Sequence, residues 1–335
     1  MGVNLKPLII KHELSFKDLK GKKISIDAYN WLYQFLTIIR QPDGTPLKNE
    51  EGKVTSHLTG LFYRTCRLLE EGIKPCYVFD GEPPSFKVVT SSRIEQREKA
   101  RKEYEIAKKQ GNIKKARTLA MQSSCLTHEM VDEAKRLLGA LGIPVIQAPS
   151  EGEAQASFMV GKGDVYAVAT QDYDSLLFGA KRIVRNLSIT GKRRMGNYYV
   201  NVKPELILLD EFMESNNLTR KELVTLGLLV GTDYNPGGVK GIGPKKGLKI
   251  VQKYGAEAWK HVSHNWEINV PDMINFFLNP PVLSNYNLKW LPPDNQKVRK
   301  ILVGEFGFNE ERVNNALKKV SKATAQRGLD LFFSQ

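Results

Sequence analysis

Four short apolar segments constrain the fold of this chain more than any other feature of its sequence. They are rich in β-branched or aromatic residues and are bounded by Gly, Pro or charged residues, as buried strands are: "KKISIDA" (22–28), "KPCYVFDG" (74–81), "GIPVIQAP" (142–149) and "DVYAVATQD" (164–172). Helical patterns separate them at 56–72 and at 127–142, where Thr127 is a candidate N-cap and Gly142 a candidate stop. Strands that alternate with helices predict an α/β fold with a central, mainly parallel, twisted sheet flanked by helices.

Downstream of about residue 204 the pattern turns helical. The three segments concerned are "KPELILLDEFMESNN", "TRKELVTLGLLVG" and "GPKKGLKIVQKYG". A chain of 335 residues is long enough for one large domain. We predict a single domain over 1–320, followed after a short polar linker by a tail at 321–335.

The segment 82–126 interrupts the strand–helix alternation. From Lys87 to Arg117 it holds 11 Lys or Arg against 4 Glu and almost no large apolar residues. Such a segment is either a charged pair of surface helices or an element that becomes ordered on a partner.

The overall charge favours a polyanionic partner. Lys and Arg number 50 against 36 Asp and Glu, a net charge of +14, which indicates nucleic acid first and an acidic membrane surface second. The three cysteines have no disulfide-like or zinc-like spacing. No apolar run approaches the roughly 18 residues of a membrane span, and the N-terminus lacks a secretory pattern. We therefore expect an intracellular protein with no membrane partner.

Acidic residues follow all four predicted strands. Because the carboxyl ends of parallel strands share one edge of a sheet, where ligands bind, these side chains are expected to converge. The six acids are Asp27, Asp80, Glu151, Glu153, Asp172 and Asp174.

Each of these acids also has a structural interpretation. Ser150 with Glu153 fits a capping box, and each of the others fits a helix cap, a first helical turn or a turn position. As a group, however, they would repel one another and raise each other's pKa unless a cation were present. Oxygen ligands without His or Cys indicate Mg²⁺ or Mn²⁺, and a cluster of this size suits two ions that hydrolyse a phosphodiester.

A second candidate site lies in "LLVGTDYNPGGVKGIGPKKGLKIVQKYG" (228–255). Its GxGxxxG spacing and the lack of a preceding strand exclude a dinucleotide fingerprint. Gly241 and Gly243 would let backbone N–H groups approach a phosphate beside Lys245 and Lys246. The alternative is a Gly-rich loop between packed helices. Asp233, just upstream, is a candidate seventh carboxylate.

Several motifs in series resemble those of the flap endonucleases, the structure-specific 5′-nucleases of archaeal and eukaryotic type. The resemblance covers nearly the whole chain through "SIDAYNWLYQFL", "TSHLTGLFYRT", "YVFDGEPPSFK", "APSEGEAQA", "ATQDYDSLLFG" and "LLVGTDYNPGGVKGIGPKKGLKIV". It implies that the seven acids bind two Mg²⁺ ions, directly or through water, with Mn²⁺ able to substitute.

The resemblance also implies roles for the remaining candidate residues. Lys87 matches a lysine that reaches the scissile phosphate, and Arg93, with Arg97 as the alternative, matches an arginine that steers it. Tyr33 matches a tyrosine that stacks on a base near the cut, the alternative being a core aromatic on a helix face.

The same resemblance divides the nuclease domain into regions. The N-terminal nuclease region is about 1–100, the helical arch about 82–126 and the internal nuclease region about 127–255. A helix–two-turn–helix at about 226–255 would grip duplex DNA and bind a K⁺ ion. This chain has Gly247 where relatives commonly have Ala.

The C-terminal "QRGLDLFF" resembles a sliding-clamp-binding box. Its anchors would be Gln326, Leu329, Phe332 and Phe333, whose aromatic and aliphatic side chains suit an apolar pocket on a partner. The alternative is a tail that packs on its own domain. The chain ends two residues after the box, which favours an archaeal-type protein of the cytoplasm or nucleoid.

The implied function is hydrolysis of a phosphodiester where a 5′ single-stranded flap meets duplex DNA, with a 5′–3′ exonuclease activity. The enzyme would act as a monomer in Okazaki-fragment maturation and DNA repair. Three alternatives remain open from the sequence. They are a related nuclease that prefers bubbles, gaps or four-way junctions, a non-catalytic clamp-tethered DNA-binding protein, and an RNA-processing nuclease.

Overall fold

A seven-stranded sheet forms the centre of the molecule in the computed structural model. The structure describes residues 2–84, 98–107, 110–188, 191–195 and 198–333, with backbone only at 113–114, 116–117, 192–195, 198–199 and 324–333. The strands are β1 (His12–Glu13), β2 (Lys23–Asp27), β3 (Lys74–Phe79), β4 (Val145–Gln147), β5 (Ala167–Ala169), β6 (Arg182–Arg185), β7 (Lys192–Met195), β8 (Tyr198–Asn201) and β9 (Glu205–Leu208). Their order in the sheet is β1-β9-β6-β5-β2-β3-β4, and β7 with β8 forms a separate hairpin.

Five adjacent strands of the sheet are parallel. β2 pairs in parallel with both β3 and β5, β3 with β4, and β5 with β6. β9 adds antiparallel to β6, and β1 antiparallel to β9. The carboxyl ends of β2, β3 and β5 therefore lie side by side at one edge.

Helices surround this sheet. They are α1 (Ala28–Ile38), α2 (Ser56–Glu70), α3 (Ile113–Gln122), α4 (His128–Ala140), α5 (Gly152–Lys162), α6 (Asp174–Leu177), α7 (Leu209–Asn216), α8 (Arg220–Val230), α9 (Pro244–Tyr254), α10 (Val270–Leu278), α11 (Asn295–Arg299) and α12 (Glu310–Phe333). Short 3₁₀ turns occur at Lys6–Leu8, Lys17–Leu19 and Gly255–His261, and a π-helical turn at Lys300–Glu305. Residues 98–107 are also helical.

Both faces of the sheet are buried, because successive side chains of a strand point to opposite faces. On β3, Cys76 and Val78 join the apolar cluster that contains α5 and α8. Tyr77 and Phe79 join the other cluster, which contains α1, α2 and α4. All four of these side chains are fully buried.

The predicted α/β class is confirmed, and all four predicted strands are present. The helical prediction from about 204 is wrong for its first part, because Glu205–Leu208 forms β9 before α7 begins at Leu209. The apolar run "ELILL" continues without a break into the helix, so its pattern did not separate the two elements. The sequence analysis also did not predict β1, β6 or the β7–β8 hairpin.

Two further segments, 82–126 and the C-terminal end of the domain, contain helices where the sequence left the structure open or predicted a linker. Within 82–126, residues 98–107 and α3 are helical, and Ala100, Ala107 and Leu119 form a small cluster with Tyr104. The segment predicted as a polar linker before residue 326 is instead part of α12. In the part of the chain that the structure describes, no helix has the length and apolar character needed to cross a membrane.

Candidate active site

The acids that follow the strands lie at one edge of the sheet. Asp27 is the last residue of β2 and pairs in register with Val78 of β3. Asp80 follows the end of β3, and Asp172 comes just after β5. Because these three strands are adjacent and parallel, they bring acids from distant parts of the sequence to the same crevice.

Asp27 has two roles in the local structure. Its side chain caps α1 by accepting a hydrogen bond from the Asn30 backbone N–H at 3.0 Å. The carboxyl is only 7% exposed. Burial raises its pKa well above the ordinary value, and repulsion from Asp80 adds to that rise. The structural alternative for Asp27 was a turn residue; it is instead the N-cap of α1, and that role does not account for the neighbouring charge.

Asp80 contacts the start of α5. The Gly152 backbone N–H donates to Asp80 Oδ1 at 2.8 Å, and a Cβ on Gly152 would lie 2.6 Å from the same oxygen. Glycine at this position therefore lets the helix N-terminus approach the carboxylate, which the helix dipole favours. Glu151 is the N-cap residue of α5, and no side chain caps this helix. The predicted capping box of Ser150 with Glu153 is thus wrong.

Glu153 points to hydroxyl groups rather than back to its own helix end. Its Oε1 accepts hydrogen bonds from Thr170 Oγ1 at 3.3 Å and from Ser175 Oγ at 3.2 Å. Burial raises the pKa of Glu153 well above its ordinary value, and repulsion from Asp174 and from Asp27 adds to the rise. The two hydroxyls fix the direction of a carboxylate whose charged form is disfavoured without a cation.

Asp174 is held by the N-terminal segment of the chain. It is the first residue of α6, whose N-cap is Tyr173, so neither predicted aspartate caps this helix. The Val3 backbone N–H donates to Asp174 Oδ1 at 2.8 Å. Burial raises its pKa to about 7, against the opposing effect of the Val3 N–H, and repulsion from Asp172 and Asp233 adds to the rise.

The seven carboxylates form one electrostatic neighbourhood. The pKa of Asp27 responds to Asp80, Asp172 and Glu151, and that of Glu153 to Asp174, Asp27, Asp172 and Glu151. Asp233, in the loop after α8, acts on Asp174. Hard oxygen donors whose burial and mutual repulsion raise the pKa of Asp27, Glu153 and Asp174 make a cluster that a divalent cation would stabilise.

The oxygens do not, however, converge as in an assembled coordination sphere. Across the ranges that the structure describes, no three Asp, Glu, His or Cys side chains are gathered closely enough to hold a metal ion. Protein N–H and O–H groups hold at least one oxygen of Asp27, Asp80, Glu153, Asp172 and Asp174. The chemistry of the donors nevertheless fits a hard divalent ion.

A wide groove with a volume of about 1620 Å³ adjoins the cluster. Asn30, which contacts Asp27 and Asp172, lines it together with Tyr33 of α1 and Tyr63 of α2. The charged residues of its lining are mostly cationic: Arg64, Arg67, Arg185, Arg312 and Lys319 against Glu70. Such a surface suits a polyanion with exposed aromatic bases.

The second candidate site is the turn between α8 and α9. Gly241 has a φ of +79°, and Gly243 is the N-cap residue of α9, followed by Pro244. Lys245 and Lys246 are exposed in the first turn of that helix, where free N–H groups and the dipole favour an anion. The two helices joined by a Gly-rich turn are present, and this geometry fits both the phosphate-binding interpretation and the loop between packed helices.

Several residues that support the cluster were not singled out from the sequence. They are Gly2, Val3, Asn30, Thr170, Ser175 and Tyr234. Tyr234 is buried beside Glu151, Asp174 and Glu153, and this burial raises the pKa of its phenol. Gly2 packs so closely on Asp174 that a Cβ would overlap the carboxylate. For Tyr234 the sequence offered a signal, because this residue directly follows Asp233 in "GTDY". Contacts such as that of Val3 with Asp174 join residues 171 positions apart and leave no local pattern.

Some predicted site residues lie outside the described part of the chain. These are Lys87, Arg93 and Arg97, together with the side chains of Gln326, Leu329, Phe332 and Phe333.

Comparisons with known proteins match this arrangement. Residues 1–103 match the family model described as XPG N-terminal domain, and residues 142–233 match the XPG I-region. The chain is 52% identical to flap endonuclease 1 of Staphylothermus marinus, with 100% of both chains covered. It is 51% identical to flap endonuclease 1 of Pyrococcus horikoshii, over 99% of this chain and 98% of that protein.

This chain belongs to the flap endonuclease family. Among solved structures it is similar to flap endonuclease-1 from Methanococcus jannaschii, with a TM-score of 0.78 and 42% identity over 97% of this chain and 100% of that one. The resemblance identified from the sequence motifs is therefore confirmed, and the chain is a nuclease. The XPG N-terminal match contains Asp27 and Asp80, and the I-region match contains the other five acids.

Proposed function

We propose that this chain cleaves branched DNA at the junction between a 5′ single-stranded flap and a duplex, through divalent ions held by its seven carboxylates. The observation that carries the proposal is the buried acidic crevice at the carboxyl edge of the sheet, next to a cation-lined groove. In a flap endonuclease, the crevice would bind the ions and the groove would bind the DNA.

The ions would be Mg²⁺, with Mn²⁺ able to substitute, and we propose two of them. Asp27, Asp80, Glu151, Glu153, Asp172, Asp174 and Asp233 would hold them directly or through water. Two bound ions supply an activated water nucleophile and stabilise the leaving oxygen of the phosphodiester. The chain's own contribution is to orient the carboxylates, and ion binding would release protons from the groups whose pKa is raised, Asp27, Glu153 and Asp174.

The groove and the α8–α9 turn would position the DNA. Tyr33, half-buried at the groove beside Asn30, would stack on a base near the scissile phosphate. Gly241, Gly243, Lys245 and Lys246 would hold the phosphate backbone of a duplex without reading its bases, with a K⁺ ion at the same turn. Specificity would then come from the shape of the branched DNA.

Lys87 and Arg93 would neutralise charge that develops on the phosphate, with Arg97 as the alternative arginine. These residues lie in the helical arch of the family resemblance, through or under which the single strand would pass. A Lys87→Ala variant should slow single-turnover cleavage far more than it weakens flap binding. An unchanged single-turnover rate would refute this role.

The C-terminal end of the chain would tether the enzyme to a sliding clamp. Gln326, Leu329, Phe332 and Phe333 would be the anchors, and the enzyme would act as a monomer in the cytoplasm or nucleoid. Its cellular roles would be Okazaki-fragment maturation and DNA repair, with 5′–3′ exonuclease activity. A Phe332→Ala, Phe333→Ala variant should keep its rate without clamp and lose clamp stimulation; retained stimulation would contradict the assignment.

A nuclease that prefers bubbles, gaps or four-way junctions would use the same acids, so only the substrate distinguishes it. The test compares single-turnover rates on a 5′-flap, a bubble, a four-way junction, a blunt duplex and a single strand, with Mg²⁺ and with chelator. We expect the flap to be cleaved fastest, at its junction, and no cleavage in chelator. A faster rate on the bubble or four-way junction would overturn the flap assignment.

A further inference from the structure

Asn30 contacts two of the seven carboxylates at once. In the first turn of α1, its backbone N–H donates to Asp27 Oδ1 at 3.0 Å. Its side-chain Nδ2 donates to Asp172 Oδ2 at 2.8 Å. Asp27 ends β2 and Asp172 follows β5, and these two strands are parallel neighbours. One uncharged residue thus connects the acids of two adjacent strands.

The orientation of the Asn30 amide follows from this contact. If the amide oxygen faced Asp172 Oδ2, two acceptors would meet at hydrogen-bond distance, so the NH₂ group must face the carboxylate. The amide oxygen is then turned away and buried, and it has no hydrogen-bond partner among the described residues. A buried acceptor without a partner is unfavourable, which points to a partner that arrives with a ligand.

An amide is well suited to this position for electrostatic reasons. A Lys or Arg would neutralise the cluster and compete with a cation, and an Asp would add to the repulsion. The amide instead donates to Asp172 without changing the net charge of the crevice. Asn30 donates to one oxygen of each carboxylate, Asp27 Oδ1 and Asp172 Oδ2. It makes no hydrogen bond to Asp27 Oδ2 or Asp172 Oδ1.

We propose that Asn30 is a positioning residue for the divalent-ion site. Its two N–H groups orient Asp27 and Asp172, and its buried amide oxygen accepts a hydrogen bond from water in the hydration shell of a bound ion. This inference rests on the metal-binding role proposed above for the carboxylates. It assigns Asn30 no contact with the DNA that is cut.

The test is an Asn30→Ala variant, which keeps the backbone N–H to Asp27 and removes the amide. Loss of a group that orients metal ligands typically lowers metal affinity by about 10- to 100-fold. We expect at least about a tenfold weaker Mn²⁺ affinity, measured without DNA by electron paramagnetic resonance of free Mn²⁺. The single-turnover rate should recover at saturating Mg²⁺, and the melting temperature in chelator should stay close to that of the wild type.

Gln34→Ala is the matched control. Gln34 lies one turn further along α1 and lines the same groove, where it accepts a hydrogen bond from Ser188 rather than contacting an acid. We expect its Mn²⁺ affinity to equal that of the wild type. Asn30→Ser provides a second variant if the alanine protein does not fold, because serine is too short to reach Asp172.

The outcomes separate this inference from the function on which it rests. Wild-type Mn²⁺ affinity in a folded Asn30 variant would overturn the role of Asn30 alone. An equal loss of affinity in Gln34→Ala, or a rate that saturating Mg²⁺ does not restore, would also overturn it. Absence of Mn²⁺ binding by the wild type would instead contradict the metal role of the carboxylates, and with it this inference.

Discussion

The acidic crevice and the turn between α8 and α9 are built in opposite ways. The crevice collects seven acids from positions 27 to 233, and burial raises the pKa of three of them. The turn is a continuous stretch from Gly241 to Lys246 with exposed lysines. A buried site of like charges is stabilised by a partner ion at neutral pH, whereas an exposed cationic turn is stable alone and needs its partner only for function.

This difference predicts where mutations will act. Changes in the crevice should alter ion binding and the chemical step, because the DNA is held mainly elsewhere. Changes in the turn should alter DNA binding and its dependence on salt, with little effect on the chemical step.

Asp172→Ala should have the largest effect. We expect single-turnover cleavage of a 5′-flap in Mg²⁺ to fall by about a thousandfold or more, because a ligand of the ions that stabilise transition-state charge is lost. Flap affinity measured by fluorescence anisotropy in Ca²⁺ should stay within about twofold of wild type. A variant that binds weakly but cleaves its bound DNA at the normal rate would break the separation.

Lys245→Ala with Lys246→Ala should weaken DNA binding instead. Two lost phosphate contacts should reduce the slope of log affinity against log salt by about 2. The single-turnover rate at saturating enzyme should be unchanged. The matched control is Lys20→Ala with Lys74→Ala. It removes the same charge from two exposed lysines on the amino-terminal side of β2 and β3, the side of the sheet away from the acids. An equal change in slope for both pairs would show that only net charge matters.

The stability of the metal-free protein should fall as pH rises. The folded-state pKa of Asp27, Glu153 and Asp174 is raised. Their contribution to stability is therefore full below the unfolded pKa and is lost as pH rises through the folded pKa. For Asp174 that window runs from 3.8 to about 7. Melting temperature in chelator should decline across it, and Mg²⁺ should restore stability at the upper end.

An Asp174→Asn variant is the control for this pH dependence. It removes one titrating group and keeps an oxygen for the Val3 N–H, so the decline in melting temperature should become shallower. A metal-free melting temperature that rises through the same window would contradict the repulsion inferred for the crevice.

Gly247→Ala should have the smallest effect. Alanine stabilises a helix by about 0.5–1 kcal/mol relative to glycine, but a Cβ here would lie 2.9 Å from Leu226 Cδ1 and force that side chain to shift. Gly139→Ala is the comparison, because a Cβ on that α4 residue meets nothing within 4 Å. Chemical denaturation should show a full gain for Gly139→Ala and a smaller one for Gly247→Ala. A larger gain at Gly247 would mean that the α8–α9 contact is loosely packed.

The two regions also differ in how far the sequence predicted them. The α8–α9 turn is local, so its glycines, lysines and helix start could be read from consecutive residues. The crevice could be predicted because apolar strands are followed directly by acids, and parallel pairing brings strand ends together. The supporting contacts of Asn30, Val3 and Ser175 could not, because hydrogen bonds across the fold leave no local pattern.

The errors in the predicted fold have similar causes. β6 is only four residues long with Arg at both ends, and β9 runs directly into α7 with no turn signal between the two elements. The capping box of Ser150 and Glu153 fitted the local pattern. In the structure the hydroxyls of Thr170 and Ser175 bind Glu153 instead, which shows a tertiary contact overriding a local preference.

The central claim is that the crevice holds two divalent ions that carry out the cleavage. Its most direct test is the number of Mn²⁺ ions bound per chain without DNA, measured by electron paramagnetic resonance for the wild type and for Asp172→Ala. We expect two ions per chain for the wild type, and fewer or more weakly bound ions for Asp172→Ala. Equal Mn²⁺ binding by the two proteins, or none by the wild type, would contradict it.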